Sequence, residues 1–175
     1  GGPEPTCAPE RAFEAGADWV IRGEAERSLP LFLGMVRDGE PPRLLREVPG
    51  TVWREGDGLG FGPATRQLDA DEISGLPITD MSLVEGAEYR TTGLVWRSRG
   101  CPERCSFCEV HEIWPRYVLR DERTSAEELL LCQESSSGGA FLIDDNCAAN
   151  KPSFKRFLKH AIERGYSRPI ALQLR

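Results

Sequence analysis

Three short apolar runs alternate with two helix-periodic segments between residues 93 and 172, and this alternation constrains the fold more than any other feature. The runs are Gly93-Leu94-Val95-Trp96, Ala140-Phe141-Leu142-Ile143 and Pro169 to Leu172. A helix is expected from Thr124, where Thr124/Glu127 and Ser125/Glu128 both have capping-box spacing. A second is marked by Phe154, Phe157, Leu158, Ala161 and Ile162 at helical intervals, with Gly165 as its stop. The order strand, helix, strand, helix, strand implies parallel strands joined by right-handed crossovers. The continuous run 140–143 suggests a strand buried on both faces. The fold class is therefore α/β, either half of a (β/α) barrel or a doubly wound sheet. In both, ligands bind at the carboxyl ends of the strands.

Two polar clusters fall at those ends. The first strand runs into Arg99-Gly100-Cys101-Pro102-Glu103-Arg104-Cys105-Ser106-Phe107-Cys108, the second into Asp144-Asp145-Asn146. Three thiolates on one loop can ligate three irons of a cubane 4Fe–4S cluster, leaving the fourth iron without a local protein ligand. Electron-transfer clusters ordinarily take four cysteines. An open iron is a place for substrate or cofactor, which favours a catalyst over a third reading, a one-electron carrier. The alternative from another class is a zinc-stabilised interaction module that uses Cys101, Cys105, Cys108 and His111. Structural zinc sites usually draw their ligands as two separated pairs, and these four are crowded together.

Composition sets the outer limits. The chain has 175 residues, 39% apolar and 29% charged, with a net charge of -6. That balance suits a globular protein and argues against a nucleic-acid partner, which would want clustered Lys and Arg. No run is long enough for a membrane span, and no charged-then-apolar leader is present. The six cysteines are too sparse for a secreted disulfide scaffold. A cytoplasmic protein with a metal site is the simpler expectation. The sequence opens on Gly1 without Met and stops at Arg175 inside a strand-like run, so it reads as a piece of a longer protein.

The cysteine spacing, the flanking Arg-Gly-Cys-Pro and the aromatic Phe107 resemble the signature of radical S-adenosylmethionine (SAM) enzymes. From Thr91 to Arg175 the chain resembles the radical SAM domain of the cobalamin-binding subgroup. Phe141-Leu142-Ile143-Asp144-Asp145-Asn146, Ala149-Asn150-Lys151 and Gln173-Leu174-Arg175 carry that likeness. Cys147 departs from it, since an aromatic often follows the Asn. The resemblance implies that SAM chelates the open iron and that Phe107 lies against the adenine. It implies reductive cleavage of SAM to a deoxyadenosyl radical, with Asp144, Asp145, Asn146 and Gln173 as further SAM contacts. It also implies an electron donor such as a flavodoxin or ferredoxin, and a small-molecule or lipid-like organic substrate.

At the other end, Gly1-Gly2-Pro3-Glu4-Pro5-Thr6 and Arg22-Gly23-Glu24-Ala25-Glu26 resemble the close of the subgroup's Rossmann-like cobalamin-binding domain. Leu76-Pro77-Ile78-Thr79-Asp80 resembles its linker. In such domains the double glycine lets backbone pass close to the cofactor's nucleotide tail, which makes Gly1 and Gly2 candidate cobalamin contacts. The expected organisation is a remnant of that domain over 1–37, a linker with a hairpin over 38–88, and the first half of a radical SAM barrel over 89–175. Within the first part, helices are expected at Pro9–Ala15 and Glu24–Val36 and a strand at Asp18–Ile21, without enough residues for an independent core. Gly56-Asp57-Gly58 sits between two strand-like runs as a hairpin turn. Gly138-Gly139 reads as a tight turn from helix to strand, and Cys132 and Cys147 as core or near-site thiols.

Overall fold

The computed structural model describes residues 2–78, 92–136 and 138–174, and the chain divides into two compact units, residues 1–68 and 69–175. The expectations for Gly1, Thr79, Asp80, Thr91 and Arg175 lie outside the described residues.

The first unit runs α1 (Pro3–Cys7), α2 (Pro9–Glu14), β1 (Trp19–Ile21), α3 (Ser28–Arg37), α4 (Pro42–Leu45), β2 (Thr51–Glu55) and β3 (Gly58–Phe61). The expected hairpin forms from β2 and β3, and it pairs antiparallel with β1 to give a sheet in the order β1-β2-β3. Alternation of side chains along β1 explains why two small cores form. Val20 packs with Phe13 and Val52, while its neighbour Ile21 packs with Phe32, Leu45 and Val48. Residues 1–37 thus complete their core with residues from 45 to 59. The helix expected from Glu24 starts instead at Ser28, because the Glu24 carboxylate is buried and accepts the Leu68 backbone N–H.

The second unit runs α5 (Ala70–Ser74), β4 (Gly93–Val95), β5 (Ser98–Arg99), α6 (Val110–Ile113), β6 (Val118–Leu119), α7 (Glu122–Ser135), β7 (Ala140–Leu142), α8 (Lys151–Glu163) and β8 (Ile170–Leu172). Its main sheet is β4-β7-β8, all parallel, with Val95, Leu142 and Leu172 in register. This is the α/β crossover pattern read from the sequence. The core beneath it joins Val95, Leu129, Leu142, Cys147, Phe157 and Ala161. Fully burying a residue such as Phe157 contributes roughly 1.5–3 kcal/mol.

Three local expectations are corrected. The α7 cap is Asp121, three residues earlier than expected; its carboxylate accepts the Arg123 and Thr124 N–H groups at 3.0 and 2.9 Å. Those bonds, with the one from Thr124 foremost, hold the Asp121 carboxyl below its usual range. The run 140–143 is buried on one face only. Ala140 and Leu142 point to the helices, Phe141 is half-buried and Ile143 is exposed, as period-two alternation demands of a sheet covered by α7 and α8 on one side. Ile162, at the end of the α8 stripe, is 69% exposed.

The helix-to-strand turn is present, and glycine is required in it. Gly139 has φ +104°, and a Cβ there would stand 2.2 Å from the Pro169 carbonyl oxygen. Gly139→Ala is expected to destabilise the fold by about 2 kcal/mol or more, from left-handed strain plus overpacking. Chemical denaturation of the two proteins side by side measures it, and an unchanged midpoint would refute the tight-approach argument.

Candidate cofactor-binding site

The cysteine loop leaves the sheet through β5 and returns through β6. These two short strands pair antiparallel, Ser98 with Leu119 and Arg99 with Val118, so the ends of the excursion are pinned together. Gly100 makes the closure possible. It has φ +78°, and a Cβ on it would lie 2.6 Å from the Arg116 carbonyl oxygen and 3.1 Å from Trp114 Cβ. Cys101, Cys105 and Cys108 are half-buried on this loop, with the Cys108 N–H donating to the Cys105 carbonyl at 3.0 Å. Phe107, beside Cys108, is 87% exposed, an aromatic face with nothing of the protein over it.

The loop lies at the carboxyl end of β4, and Asp144-Asp145-Asn146 lies at the carboxyl end of its neighbour β7. Hydrogen bonds join the two ends directly: the Ile143 N–H donates to the Val95 carbonyl at 2.9 Å, and the Arg97 N–H to both Asp144 oxygens at 3.2 and 3.1 Å. Ser98 Oγ donates to the same carboxylate. Asp144 is 2% exposed, and burial pushes its carboxyl up, partly offset by Ser98 and by the Arg97 guanidinium. That guanidinium is itself buried, 1% exposed. It donates to the Cys147 carbonyl and to Ser153 Oγ at 3.1 and 3.2 Å and lies over the rings of Phe154 and Phe157. Burial pulls Arg97 down from its usual value and pushes the nearby Tyr117 phenol up. Asp144 is thus committed to fastening the two strand ends together.

Asp145 and Asn146 are placed differently. Asp145 is exposed, and its carboxyl is raised first by partial desolvation and then by the Asp144 charge beside it. Asn146 is 6% exposed, and its Oδ1 is buried with no hydrogen-bond partner. A buried acceptor left unmade costs about 1–3 kcal/mol, so this oxygen fits a donor supplied by a ligand. Gln173 follows β8 with an exposed side chain, while its carbonyl accepts the Cys147 N–H at 3.0 Å. The Cys147 thiol is buried in the core and raised by burial. In the first unit Gly2 has φ +105°, and Thr6 joins the two segments there: its carbonyl accepts Arg22 Nε at 2.8 Å and its Oγ1 the Gly23 N–H at 2.9 Å.

The donor set bears on which metal group the loop fits. His111 Nε2 lies 2.5 Å from the Glu103 carbonyl oxygen. Among the described residues, no three His, Cys, Asp or Glu side chains are gathered for a single metal ion. A four-iron cubane takes its thiolates at separate corners, and three thiols on one pinned loop, with an unsatisfied acceptor on the adjoining strand end, fit such a group. What the sequence pattern missed is the buried charge behind the loop: Arg97 with Asp144, and Arg120 ion-paired with Glu128 on α7. Arginines beside a strand read as surface residues, and nothing in their spacing marks them as core.

Comparison with known proteins adds the family context. No family model matches the chain. An uncharacterised methyltransferase from Synechocystis is 28% identical over 161 residues, which is 91% of this chain and 26% of that protein. The hopanoid C-3 methylase of Methylococcus capsulatus is 32% identical over 134 residues, 73% of this chain and 24% of that protein. The solved radical SAM methyltransferase TsrM from Kitasatospora setae superposes with a TM-score of 0.68 at 19% identity, covering 91% of this chain and 32% of that one. The chain is therefore similar in sequence to these two methyltransferases, and its α/β fold is shared with the solved radical SAM enzyme. It spans about a quarter of the length of the curated relatives it matches.

Proposed function

We propose that the full-length protein is a radical SAM enzyme in which Cys101, Cys105 and Cys108 hold a 4Fe–4S cluster. The observation that carries this reading is the placement of three thiols on one pinned loop, at the same end of a parallel sheet as Asp145 and the unsatisfied Asn146 Oδ1. When bound, cluster and SAM supply one-electron cleavage of the cofactor, and the protein's share is binding, orientation and exclusion of water. Phe107 offers its exposed ring to the adenine, and Asp145 and Asn146 bind polar groups of SAM. Asp144 positions them by holding the two strand ends, and Gln173 is a further contact. Gly1, Gly2 and the Arg22–Glu24 turn that Thr6 fastens are proposed to face cobalamin in the complete protein, where methyl transfer or another C–H modification acts on a small organic substrate. A flavodoxin or ferredoxin is the proposed electron donor. No helix among the described residues is long and apolar enough to cross a membrane.

The test is anaerobic reconstitution of the full-length protein with iron and sulfide, followed by reduction with SAM present. Release of 5′-deoxyadenosine is expected. Bound zinc alone, without deoxyadenosine, would overturn the reading. A finer check uses Phe107→Ala, which is expected to weaken SAM binding about tenfold, since aromatic stacking on a base is worth about 1–3 kcal/mol. Cluster content should be unchanged. Equilibrium dialysis with labelled SAM measures it, and unaltered affinity would remove Phe107 from the SAM site.

A further inference from the structure

A run of aromatic rings and guanidinium groups crosses the base of the cysteine loop. The Arg99 guanidinium lies 5.2 Å from the Trp114 ring centroid and 4.8 Å from that of Trp96. Trp96 also meets the Arg120 guanidinium, at 4.5 Å, and Arg120 is fastened to α7 through its buried ion pair with Glu128. Arg99 stands two residues before Cys101, and Trp114 six residues after Cys108. Their contact therefore joins the arm that enters the cysteine segment to the arm that leaves it.

The β5–β6 ladder alone is a weak clamp, because it has two residue pairs and isolated two-stranded pairings are marginal. Gly100 permits the close approach at the base but adds no attraction of its own. Indole is the aromatic that holds a cation best, and a planar guanidinium engages rings where an ammonium acts as a point charge. Trp96 and Arg120 join the arms farther from the cysteines, and Arg99 with Trp114 joins them next to the thiols.

We propose that Arg99 is a positioning residue for the iron–sulfur cluster: clasped by Trp96 and Trp114, it keeps the cysteine loop closed so that the three thiols are presented as a set. The proposal rests on the cluster reading above and adds a residue to it that touches neither iron nor SAM. Opening of the clasp frees the loop between Gly100 and Tyr117 while α7, α8 and the parallel sheet stay folded.

The experiment uses the full-length protein and the variants Arg99→Met, Arg99→Lys, Trp114→Ala and Trp114→Phe, with two readouts. The first is amide hydrogen exchange over residues 100–117 in protein stripped of metal. The second is the rate at which a chelator removes iron after anaerobic reconstitution. Arg99→Met and Trp114→Ala are expected to raise both rates about tenfold, while Trp114→Phe, which keeps a ring under the cation, stays within about twofold of wild type. Arg99→Lys falls between them. Exchange in α7 and α8 is expected to stay at the wild-type rate. Normal cluster uptake with unchanged loop exchange in Arg99→Met would overturn the clasp and leave the cluster reading intact. Acceleration spread equally through α7 and α8 would also overturn it, as a general loss of stability. A wild-type protein that takes up no iron and sulfide would remove the cluster reading, and Arg99's service to it, whatever the loop exchange shows.

Discussion

Cys105→Ala in the full-length protein is expected to reduce SAM-dependent formation of 5′-deoxyadenosine to background and to prevent stable cluster assembly. The loop carries three thiols and has no reserve. His111, the nearest alternative ligand in sequence, has its Nε2 against the Glu103 carbonyl. Cys147 is 1% exposed within the core, and burial raises its thiol away from the thiolate that a metal requires. Cys132 packs against the same core. With two thiols left, a cubane has two irons without protein ligands, and its retention is no longer favoured over loss to solvent. Cys132→Ala is the control and is expected to keep both cluster and activity. Iron and sulfide assays, electron paramagnetic resonance and chromatography of the reaction measure the outcome. Undiminished deoxyadenosine from Cys105→Ala would sink the three-cysteine assignment.

What could be read from the sequence was whatever has a period or a fixed spacing. The stripe Phe154, Phe157, Ala161 placed α8, and three apolar runs placed β4, β7 and β8 in one parallel sheet. Their carboxyl ends then had to carry the cysteine loop and Asp144-Asp145-Asn146. The β5–β6 ladder was not legible, because two residues per strand leave no alternation to detect, and it is this ladder that closes the loop. Nor could spacing separate Asp144 from Asp145. Both lie beyond the end of β7, where the chain enters a turn, and here one carboxylate is 2% exposed against Arg97 and Ser98 while the next meets solvent. The helix expected from Glu24 failed for a tertiary reason. That glutamate is drawn inward to satisfy the Leu68 N–H, a partner 44 residues away that no local pattern announces.

The largest stability effect is expected from Asp144→Ala. The wild-type carboxylate accepts the Arg97 N–H and the Ser98 hydroxyl and faces a guanidinium that is 1% exposed. Burying the two charges gains little on balance, because desolvation offsets their attraction, and burial is the leading cause that raises Asp144 and lowers Arg97. Removing one partner is another matter. Arg97 would remain enclosed by Phe154, Phe157, Ser153 and the Cys147 carbonyl without the carboxylate that raises it most. Leaving a buried charge without its main counter-charge costs about 3–5 kcal/mol. Asp144→Asn keeps the shape and an acceptor, and its cost is expected to be roughly half as large.

The pH dependence of that smaller loss has a definite sign. A carboxyl raised in the folded state binds its proton more tightly there than in the unfolded chain. Its stabilising contribution is complete below the unfolded pKa and is lost as pH rises through the folded one. The wild type therefore loses stability over that window while Asp144→Asn does not, so the gap between them narrows from acid pH toward neutrality. Urea denaturation of both proteins across that range measures it. A gap that widens with pH would mean that the Arg97 attraction outweighs burial at Asp144, and that the strand ends are held by a net favourable ion pair instead.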